Sequence, residues 1–321
     1  MHRPVLLGET IAALGCRPGG LWVDGTLGGG GHAEAILRAT APEGRLIACD
    51  RDQEALELAG RRLAPFADRI HLQHADHRRL PQILDTLGAG PVDGFLLDLG
   101  ISSLQLEDPE RGFSFQREGP LDMRMDRSAG RPAADLVNTL PPGELARIFA
   151  RYGEEPAASR IATAIARARA RAPIATTTGL AEIVVGAAGR GPDRIHPATR
   201  VFQALRIAVN DEIRGLDRLL DEAIARLGHR GRLAVISFHS LEDRVVKRRF
   251  VERARHCTCP RDLPICACGR PGVVRLVTRR ATRPSIEELR DNPRSRSARL
   301  RAVERLPPTG EGPGAGPERA A

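Results

Sequence analysis

The clearest chemical signature of the chain is a glycine-rich turn beside an acidic residue. Residues 23–32 read Val-Asp-Gly-Thr-Leu-Gly-Gly-Gly-Gly-His. Glycines let the backbone approach a ligand that any Cβ would exclude, and the helix predicted to begin at His32 offers N–H groups and a partial positive charge. The pattern indicates a nucleotide-type cofactor site. Gly28, Gly30 and Ala33 also satisfy the G-x-G-x-x-G/A pattern of dinucleotide-binding proteins, so the glycines alone leave the nucleotide open.

Acidic residues at two strand ends narrow the choice of cofactor. Asp24 ends the first predicted strand, and Asp50 ends the apolar run Arg45–Cys49, at about the distance from the glycines where a carboxylate meets a ribose hydroxyl. A pyrophosphate would be repelled by Asp24, whereas S-adenosylmethionine carries a sulfonium and an ammonium. Charge therefore favours S-adenosylmethionine over NAD. A nucleotide-dependent oxidoreductase is the alternative enzyme, and a glycine turn without a ligand is the structural alternative.

Asp98 is the first candidate catalytic residue. It ends the fourth predicted strand and opens the loop Leu99–Ser103, where the acceptor would face the methyl group in a methyl-transferring sheet. An exocyclic amine is a poor nucleophile because its lone pair is delocalised into the ring. A carboxylate that accepts a hydrogen bond from the amine can orient it and stabilise the charge that develops. Donor binding, or a helix N-cap or turn carboxylate, are the alternative roles of Asp98.

His239 is the second candidate catalytic residue. It follows the later predicted strand Arg232–Phe238, in the run Ser237-Phe-His-Ser-Leu-Glu-Asp-Arg244. Phe238 and His239 could stack on a flipped base and hydrogen-bond its Watson–Crick edge. A structural hydrogen-bonding histidine is an equally good interpretation.

A cysteine cluster near the C-terminus is a candidate metal site. The potential ligands are Cys257, Cys259, Cys266 and Cys268. Four thiolates brought together by a proline-bearing turn could hold a structural zinc ion, although the Cys-x-Cys spacing is tighter than usual. Paired or free thiols are the alternative. Catalysis by these thiols is not expected, since methylation of an amine needs no thiolate.

The first third of the chain alternates strands and helices, which predicts a parallel sheet with helices on both faces. The predicted strands are Leu21–Asp24, Arg45–Asp50, Ile70–Ala75 and Gly94–Asp98. Their carboxyl ends would meet at one edge of the sheet, which brings Asp24, Asp50, Asp98 and the pair Asp76-His77 together.

Alanine- and arginine-rich helical stretches then interrupt the sheet pattern, which returns with Arg232–Phe238. This order predicts an α/β sheet with an inserted all-helical domain. The predicted boundaries are 1–105 for the first part of the sheet domain, 106–197 for the helical insertion, 198–306 for the second part with the cysteine cluster, and 307–321 for a disordered tail.

Composition points to an anionic partner. The 321 residues carry a net charge of +9 with a pI near 10.3, and nucleic acid is the commonest partner of such a protein. Lys247 is the only lysine, so a codon bias toward arginine is an alternative cause of the basicity. The chain shows neither a secretory h-region nor a run of transmembrane length, so we expect a cytoplasmic protein. The oligomeric state stays open, with a homodimer among the options.

A series of motifs occurs along the chain in a family-specific order. They are Asp24-Gly-Thr-Leu-Gly-Gly-Gly-Gly-His32, Asp50-Arg-Asp52, Leu97-Asp-Leu-Gly-Ile-Ser-Ser-Leu-Gln105, Arg111-Gly-Phe-Ser-Phe115, Leu121-Asp-Met-Arg-Met125, Tyr152-Gly-Glu-Glu155, His196-Pro-Ala-Thr-Arg-Val-Phe-Gln203 and Ile236-Ser-Phe-His-Ser-Leu-Glu-Asp-Arg244. Together they resemble the bacterial small-subunit ribosomal RNA (cytosine-N4) methyltransferases, from the N-terminus to about Arg305.

The resemblance implies a Rossmann-like class I S-adenosylmethionine-dependent methyltransferase with a helical insertion. It implies methylation of the exocyclic N4 amine of one cytidine in the decoding region of 16S rRNA, within the small ribosomal subunit and as part of ribosome biogenesis. The donor contacts that it implies map to Gly30, Gly31, His32, Asp50, Asp98 and Gln105. A further donor-contact position, often phenylalanine in the family, is His77 here, whose ring can still stack on adenine. The resemblance transfers no catalytic assignment, and an RNA-binding module with a vestigial cofactor pocket is the alternative outside the enzymes.

Overall fold

The computed structural model describes residues 4–188, 196–255 and 272–307. Contacts divide the chain into two compact units. The sheet unit comprises Met1–Asp50, Leu56–Leu99 and Gly215–Ala321, and the helical unit comprises Arg51–Ala55 and Gly100–Arg214. Each unit is therefore built from separate stretches of sequence.

The helices and strands follow one another in this order: α1 (Leu7–Leu14), β1 (Leu21–Asp24), α2 (Gly31–Ala39), β2 (Arg45–Asp50), α3 (Gln53–Leu63), β3 (Ile70–His74), α4 (Leu80–Thr86), β4 (Val92–Asp98), α5 (Ser103–Glu107), α6 (Ala133–Thr139), α7 (Pro142–Gly153), α8 (Ala158–Arg169), α9 (Thr177–Ala188), α10 (Ala198–Asn210), α11 (Leu216–Arg226), β5 (Leu227–Ser237), α12 (Ser240–Ala254), β6 (Val274–Leu276), α13 (Ile286–Asp291) and β7 (Arg299–Arg305).

The seven strands form one sheet in the order β3-β2-β1-β4-β5-β7-β6. Strands β1 to β5 are parallel, whereas β7 runs antiparallel to both β5 and β6. The α/β sheet predicted from the alternation is thus confirmed. The strand order reverses between β1 and β4, and ligands of open parallel sheets bind outside the carboxyl ends of the strands at such a point.

Apolar residues fill both faces of the sheet, as expected of parallel strands that are covered by helices on either side. Val23 and Phe95 belong to one buried cluster, while their neighbours Trp22 and Leu96 belong to the other. Because side chains alternate along a strand, each short strand contributes to both layers. The polar residues that follow the strands therefore remain at the carboxyl edge.

The helical unit has a core of its own. Phe149, Ile161, Leu180 and Val201 are buried there together. Helices α7 and α10 approach closely at Gly153, where an added Cβ would lie 2.5 Å from the Arg200 carbonyl oxygen. The unit extends beyond the predicted range 106–197, since α10 packs on α7 and shares this core.

Three short elements were not predicted from the sequence, namely α1, α5 and a 3₁₀ turn at Pro109–Arg111. Helices α10 and α11 are separate because Asp211 and Gly215 both adopt left-handed conformations. The four cysteines of the predicted zinc site and the predicted tail beyond residue 307 lie outside the described residues. Within the described ranges, no helix combines the length and apolarity needed to cross a membrane.

Candidate functional site

The glycine turn connects β1 to α2 and requires glycine for two different reasons. Gly28 has φ +50°, and a Cβ at this position would meet no atom within 4 Å, so the turn borders open space. Gly30 has φ +76° and caps α2, and a Cβ there would lie 3.2 Å from both Ala59 Cβ and Leu63 Cδ1. Gly28 therefore leaves room for a ligand, while Gly30 leaves room for α3.

Asp50 holds this turn from the end of β2. Its Oδ2 accepts a hydrogen bond from the Gly28 N–H at 2.7 Å. Gly31 is the first residue of α2, and Gly30 N–H donates to the Leu27 carbonyl oxygen within the turn. The structure thus brings the predicted residues Gly30, Gly31 and Asp50 into one small region.

Asp24 is fully buried at the end of β1. Its Oδ1 accepts a hydrogen bond from the Thr26 N–H at 3.0 Å, but its Oδ2 has no hydrogen-bond partner among the described residues. Burial raises the pKa of Asp24 to about 7, and the negative charge of Asp50 adds to the rise. This carboxyl group is poised to ionise when a positive charge approaches it.

Asp98 lies at the end of β4, next to β1. Its N–H donates to Thr26 Oγ1, and its Oδ1 is buried without a partner in the described part of the chain. Burial, followed by the charges of Asp24 and Glu242, raises the pKa of Asp98 well above its usual range. Two neighbouring strands therefore each present one unpartnered carboxyl oxygen.

His32, the second residue of α2, contacts the carboxyl group of Asp98. Its Nε2 lies 3.0 Å from the Val5 carbonyl oxygen, and its Nδ1 lies 3.5 Å from Asp98 Oδ2. His32 Nε2 is placed to donate to the Val5 carbonyl oxygen, and its Nδ1 faces the Asp98 carboxyl group. The side chain is buried, so packing fixes this orientation.

His239 is the N-cap of α12. Its Nδ1 accepts a hydrogen bond from the Glu242 N–H at 3.4 Å, and its Nε2 lies 3.1 Å from Glu242 Oε1. Glu242 Oε2 accepts in turn from the Phe238 N–H. His239 thus fixes the carboxylate whose charge acts on Asp98, and the structural interpretation of this histidine has direct support.

The remaining two predicted donor contacts lie in different units. His77 belongs to the sheet unit and stands beside the glycine turn, since a Cβ on Gly25 would lie 3.4 Å from His77 Cβ. Gln105 belongs to the helical unit, where its Oε1 accepts from the Ser102 N–H and its Nε2 donates to Asp52 Oδ2 at 2.7 Å. Asp52 also receives the buried guanidinium of Arg111 at 2.8 Å.

Thr26 and Glu242 are site residues that sequence reasoning did not single out. Thr26 links β1 to β4 by donating its N–H to Asp24 and accepting the Asp98 N–H. Its place two residues after Asp24, the acidic end of β1, was the available signal. Glu242 stands three residues after the N-cap, a spacing typical of a capping pair, and that pattern could have identified it.

The site fits a cationic nucleotide better than a pyrophosphate. Asp24 Oδ2 and Asp98 Oδ1 are buried acceptors without partners in the described ranges, and Gly28 borders open space nearby in the same unit. The ammonium and sulfonium of S-adenosylmethionine match these acceptors, whereas a pyrophosphate would face two carboxyl groups. The strand order, the glycine turn and the acidic strand ends together define a class I S-adenosylmethionine-dependent methyltransferase.

Comparison with known proteins identifies the family. The model of the MraW methylase family matches residues 1–306, and the chain belongs to this family. A protein of Pelobacter propionicus named "Ribosomal RNA small subunit methyltransferase H" is 56% identical over 308 residues, which cover 95% of this chain and 98% of its own length. Proteins of the same name from Syntrophotalea carbinolica and Symbiobacterium thermophilum are 55% and 53% identical over 307 residues, with 95% of this chain and 98% and 96% of theirs covered. The resemblance drawn from the motifs is confirmed.

Proposed function

We propose that the enzyme transfers a methyl group from S-adenosylmethionine to the exocyclic N4 amine of a specific cytidine in the decoding region of 16S rRNA. The names of the relatives support small-subunit ribosomal RNA as the substrate. The series of motifs described above supports cytosine N4 as the acceptor atom. We also propose that the modification belongs to rRNA processing during ribosome biogenesis and that the enzyme acts in the cytoplasm.

The observation that carries the proposal is the buried, unpartnered Oδ1 of Asp98 at the end of β4. Such an oxygen can accept one N–H of the cytosine amine and hold the nitrogen lone pair in a fixed direction. Bound S-adenosylmethionine supplies a methyl group that is activated by the positive sulfonium. As the new C–N bond forms and the methyl–sulfur bond breaks, which leaves S-adenosylhomocysteine, positive charge develops on N4, and the ionised carboxylate of Asp98 would stabilise that charge.

Asp98 also provides a place for the proton that N4 loses. Because the pKa of Asp98 is raised, its carboxylate accepts a proton more readily than an ordinary aspartate does. Glu242 contributes to this property through its charge, and His239 holds Glu242. We therefore assign proton acceptance to Asp98 and a positioning role to His239, which holds the Glu242 carboxylate.

The donor contacts proposed in the sheet unit are Gly30, Gly31, His32, Asp50, His77 and Asp98. Gln105 stays a donor contact that the resemblance of the motifs implies. The basic character of the chain favours the assembled small subunit over naked RNA as the substrate, since scattered arginines recognise shape and phosphate rather than sequence. The structural zinc at the cysteine cluster and a homodimer stay as predictions from the sequence.

The test is methyl transfer from labelled S-adenosylmethionine to small subunits from cells that lack the enzyme, with mass spectrometry of the nucleosides. We expect N4-methylcytidine with the wild-type protein and a loss of at least about a hundredfold in rate for Asp98→Asn, which keeps the shape but not the charge. Calorimetric titration of the donor into the same variant separates catalysis from donor binding. Bound donor without any incorporation into subunits or RNA would favour an RNA-binding module instead.

A further inference from the structure

A strongly basic cleft lies in the sheet unit, outside the donor site. Its cavity has a volume of about 370 Å³. The cations that line it are Lys247, Arg279, Arg280, Arg283, Arg299 and Arg301. This "cationic cleft" is formed by helix α12, strand β7 and the segment that connects β6 to α13.

Part of the positive charge in the cleft is compensated within the fold. Asp243 Oδ2 receives Arg299 Nη1 at 2.8 Å, and its Oδ1 receives Arg301 Nε at 2.7 Å. Burial would raise the pKa of Asp243, but the hydrogen bonds from Arg301 and Arg299 offset this and hold the pKa below its ordinary value. The carboxylate therefore stays ionised and fixes both arginines as the inner wall of the cleft.

The other four cations have no acidic partner among the described residues. Lys247, Arg279, Arg280 and Arg283 are all exposed, and none of them forms an ion pair in that part of the chain. Other exposed arginines of this protein form ion pairs with a carboxylate, as Arg38 and Arg218 do with glutamates on their own helices. Four like charges around one cavity repel one another, so the cleft favours an anionic occupant.

Backbone hydrogen bonds fix the cleft near the reactive edge of the sheet. The N–H of Thr282 donates to the Leu300 carbonyl oxygen, and the Leu300 N–H donates back. Arg299 pairs in register with Ser237, the last residue of β5. His239 follows two residues later and caps α12, the helix that supplies Lys247 and Asp243. The cleft therefore lies at the same edge as the carboxyl ends of the parallel strands.

We infer that the cationic cleft binds the phosphodiester backbone of the RNA substrate beside the target nucleotide. This inference rests on the proposed function for the identity of the polymer. Among the described residues, neither an aromatic side chain nor a neutral amide lines the cavity, so this lining offers salt bridges to phosphate oxygens rather than contacts that read a base. Arginine forks suit this task because they bind phosphate through two parallel hydrogen bonds.

The test compares two double variants that remove the same charge. In the cleft variant, Arg279→Gln is combined with Arg280→Gln. In the control, Arg45→Gln is combined with Arg61→Gln, which are exposed arginines without described ion pairs, and Arg45 lies at the opposite, amino end of β2. Binding of a fluorescein-labelled decoding-region hairpin is followed by anisotropy across a range of KCl concentrations.

We expect the cleft variant to bind the hairpin about tenfold more weakly near 0.1 M KCl, with a salt slope shallower by about 0.7 for each lost phosphate contact. The control should stay within about twofold of the wild type, because neither of its arginines lines the cleft. Donor affinity, measured by calorimetry, should be the same in all three proteins and reports that the fold is intact.

Equal hairpin affinities for the cleft variant and the control would overturn the inference. A defect seen with whole subunits but absent both with the hairpin and with protein-free 16S rRNA would also overturn it, since it would assign the cleft to an acidic ribosomal protein. The proposed function fails by a different result, namely no methyl transfer by the wild-type enzyme. The binding comparison needs no turnover, so it decides the inference in either case.

Discussion

Replacing Asp24 by asparagine should make the stability of the donor-free enzyme less dependent on pH. The carboxyl group is fully buried, and its pKa is raised from 3.8 to about 7. In the unfolded chain the group ionises near its ordinary value, so between about pH 4 and 7 the folded state holds a proton that the unfolded state releases. Stability therefore falls as pH rises through this range, and the loss is complete above about pH 7.

The size of the pH-dependent loss of stability follows from the rise in the pKa of Asp24. At about 1.4 kcal/mol per pH unit, a rise from 3.8 to about 7 corresponds to about 4 kcal/mol of unfolding free energy. Asparagine does not titrate, although its amide leaves unpaired donors at the position of Oδ2, which costs about 1–3 kcal/mol at every pH. From pH 4.5 to pH 8 the wild type loses only the part of this stability that lies above pH 4.5, so the free-energy difference between variant and wild type should shift by about 3 kcal/mol in favour of the variant.

Trp22, the only tryptophan of the chain, is buried on the same strand and reports unfolding by its fluorescence. Urea titrations at a series of pH values give the unfolding free energy of each protein. Asp68→Asn is the matched control, because Asp68 is exposed and forms no described ion pair. Parallel pH profiles for Asp24→Asn and the wild type would refute the reasoning, since they would mean that Asp24 ionises alike in both states.

Three further predictions concern the glycine turn, the ribose contact and the cysteines. Asp50→Ala should abolish the rise in melting temperature on adding S-adenosylhomocysteine, because it removes both the proposed ribose acceptor and the acceptor of the Gly28 N–H; an undiminished rise would exclude Asp50 from the site. Gly28→Ala should weaken donor binding by at least about tenfold. Gly130→Ala is the control, because Gly130 also has a positive φ and open space around it, so that both variants carry the same backbone cost of about 1 kcal/mol in stability but only Gly28→Ala should lose donor affinity. Equal donor affinities of the two variants in calorimetry would contradict the role of Gly28 in leaving room for the donor. Protein purified without chelators should contain zinc that is lost when Cys257→Ser and Cys268→Ser are combined, and elemental analysis that finds no zinc in the unaltered protein would end the prediction.

The sheet was predictable because its signals are local. Strands β1, β2 and β4 are short, largely buried apolar runs, and Asp24, Asp50 and Asp98 mark their ends in the sequence itself. Helix α1 escaped prediction because only eight residues form it, and its N-cap is Leu6 in a left-handed conformation rather than a capping side chain. A conventional start signal was absent there.

The chemistry at Asp98 was only partly predictable, because it depends on contacts between distant parts of the chain. The type and position of Asp98 indicated a methyl-acceptor site. Its raised pKa arises from burial and from the charges of Asp24 and Glu242, which lie far from it in sequence. The same holds for His239, since the choice between catalysis and helix capping depends on where Glu242 places its carboxylate. Local patterns do not encode such distances.

The short loop after β2 serves two compact units at once. Asp50 holds the glycine turn of the sheet unit, and Asp52, two residues later, belongs to the helical unit, where it neutralises the buried Arg111. A fragment that contained only residues 100–214 would keep Arg111 but lose this carboxylate, and an uncompensated buried charge costs about 3–5 kcal/mol. Residues 100–214 alone therefore lack part of the helical unit. The helical unit depends on Asp52, which is encoded ahead of residues 100–214, next to the cofactor-binding residue Asp50. Recombination that exchanged residues 100–214 for a segment unable to pair with Asp52, or that removed Asp52, would therefore disrupt this buried ion pair.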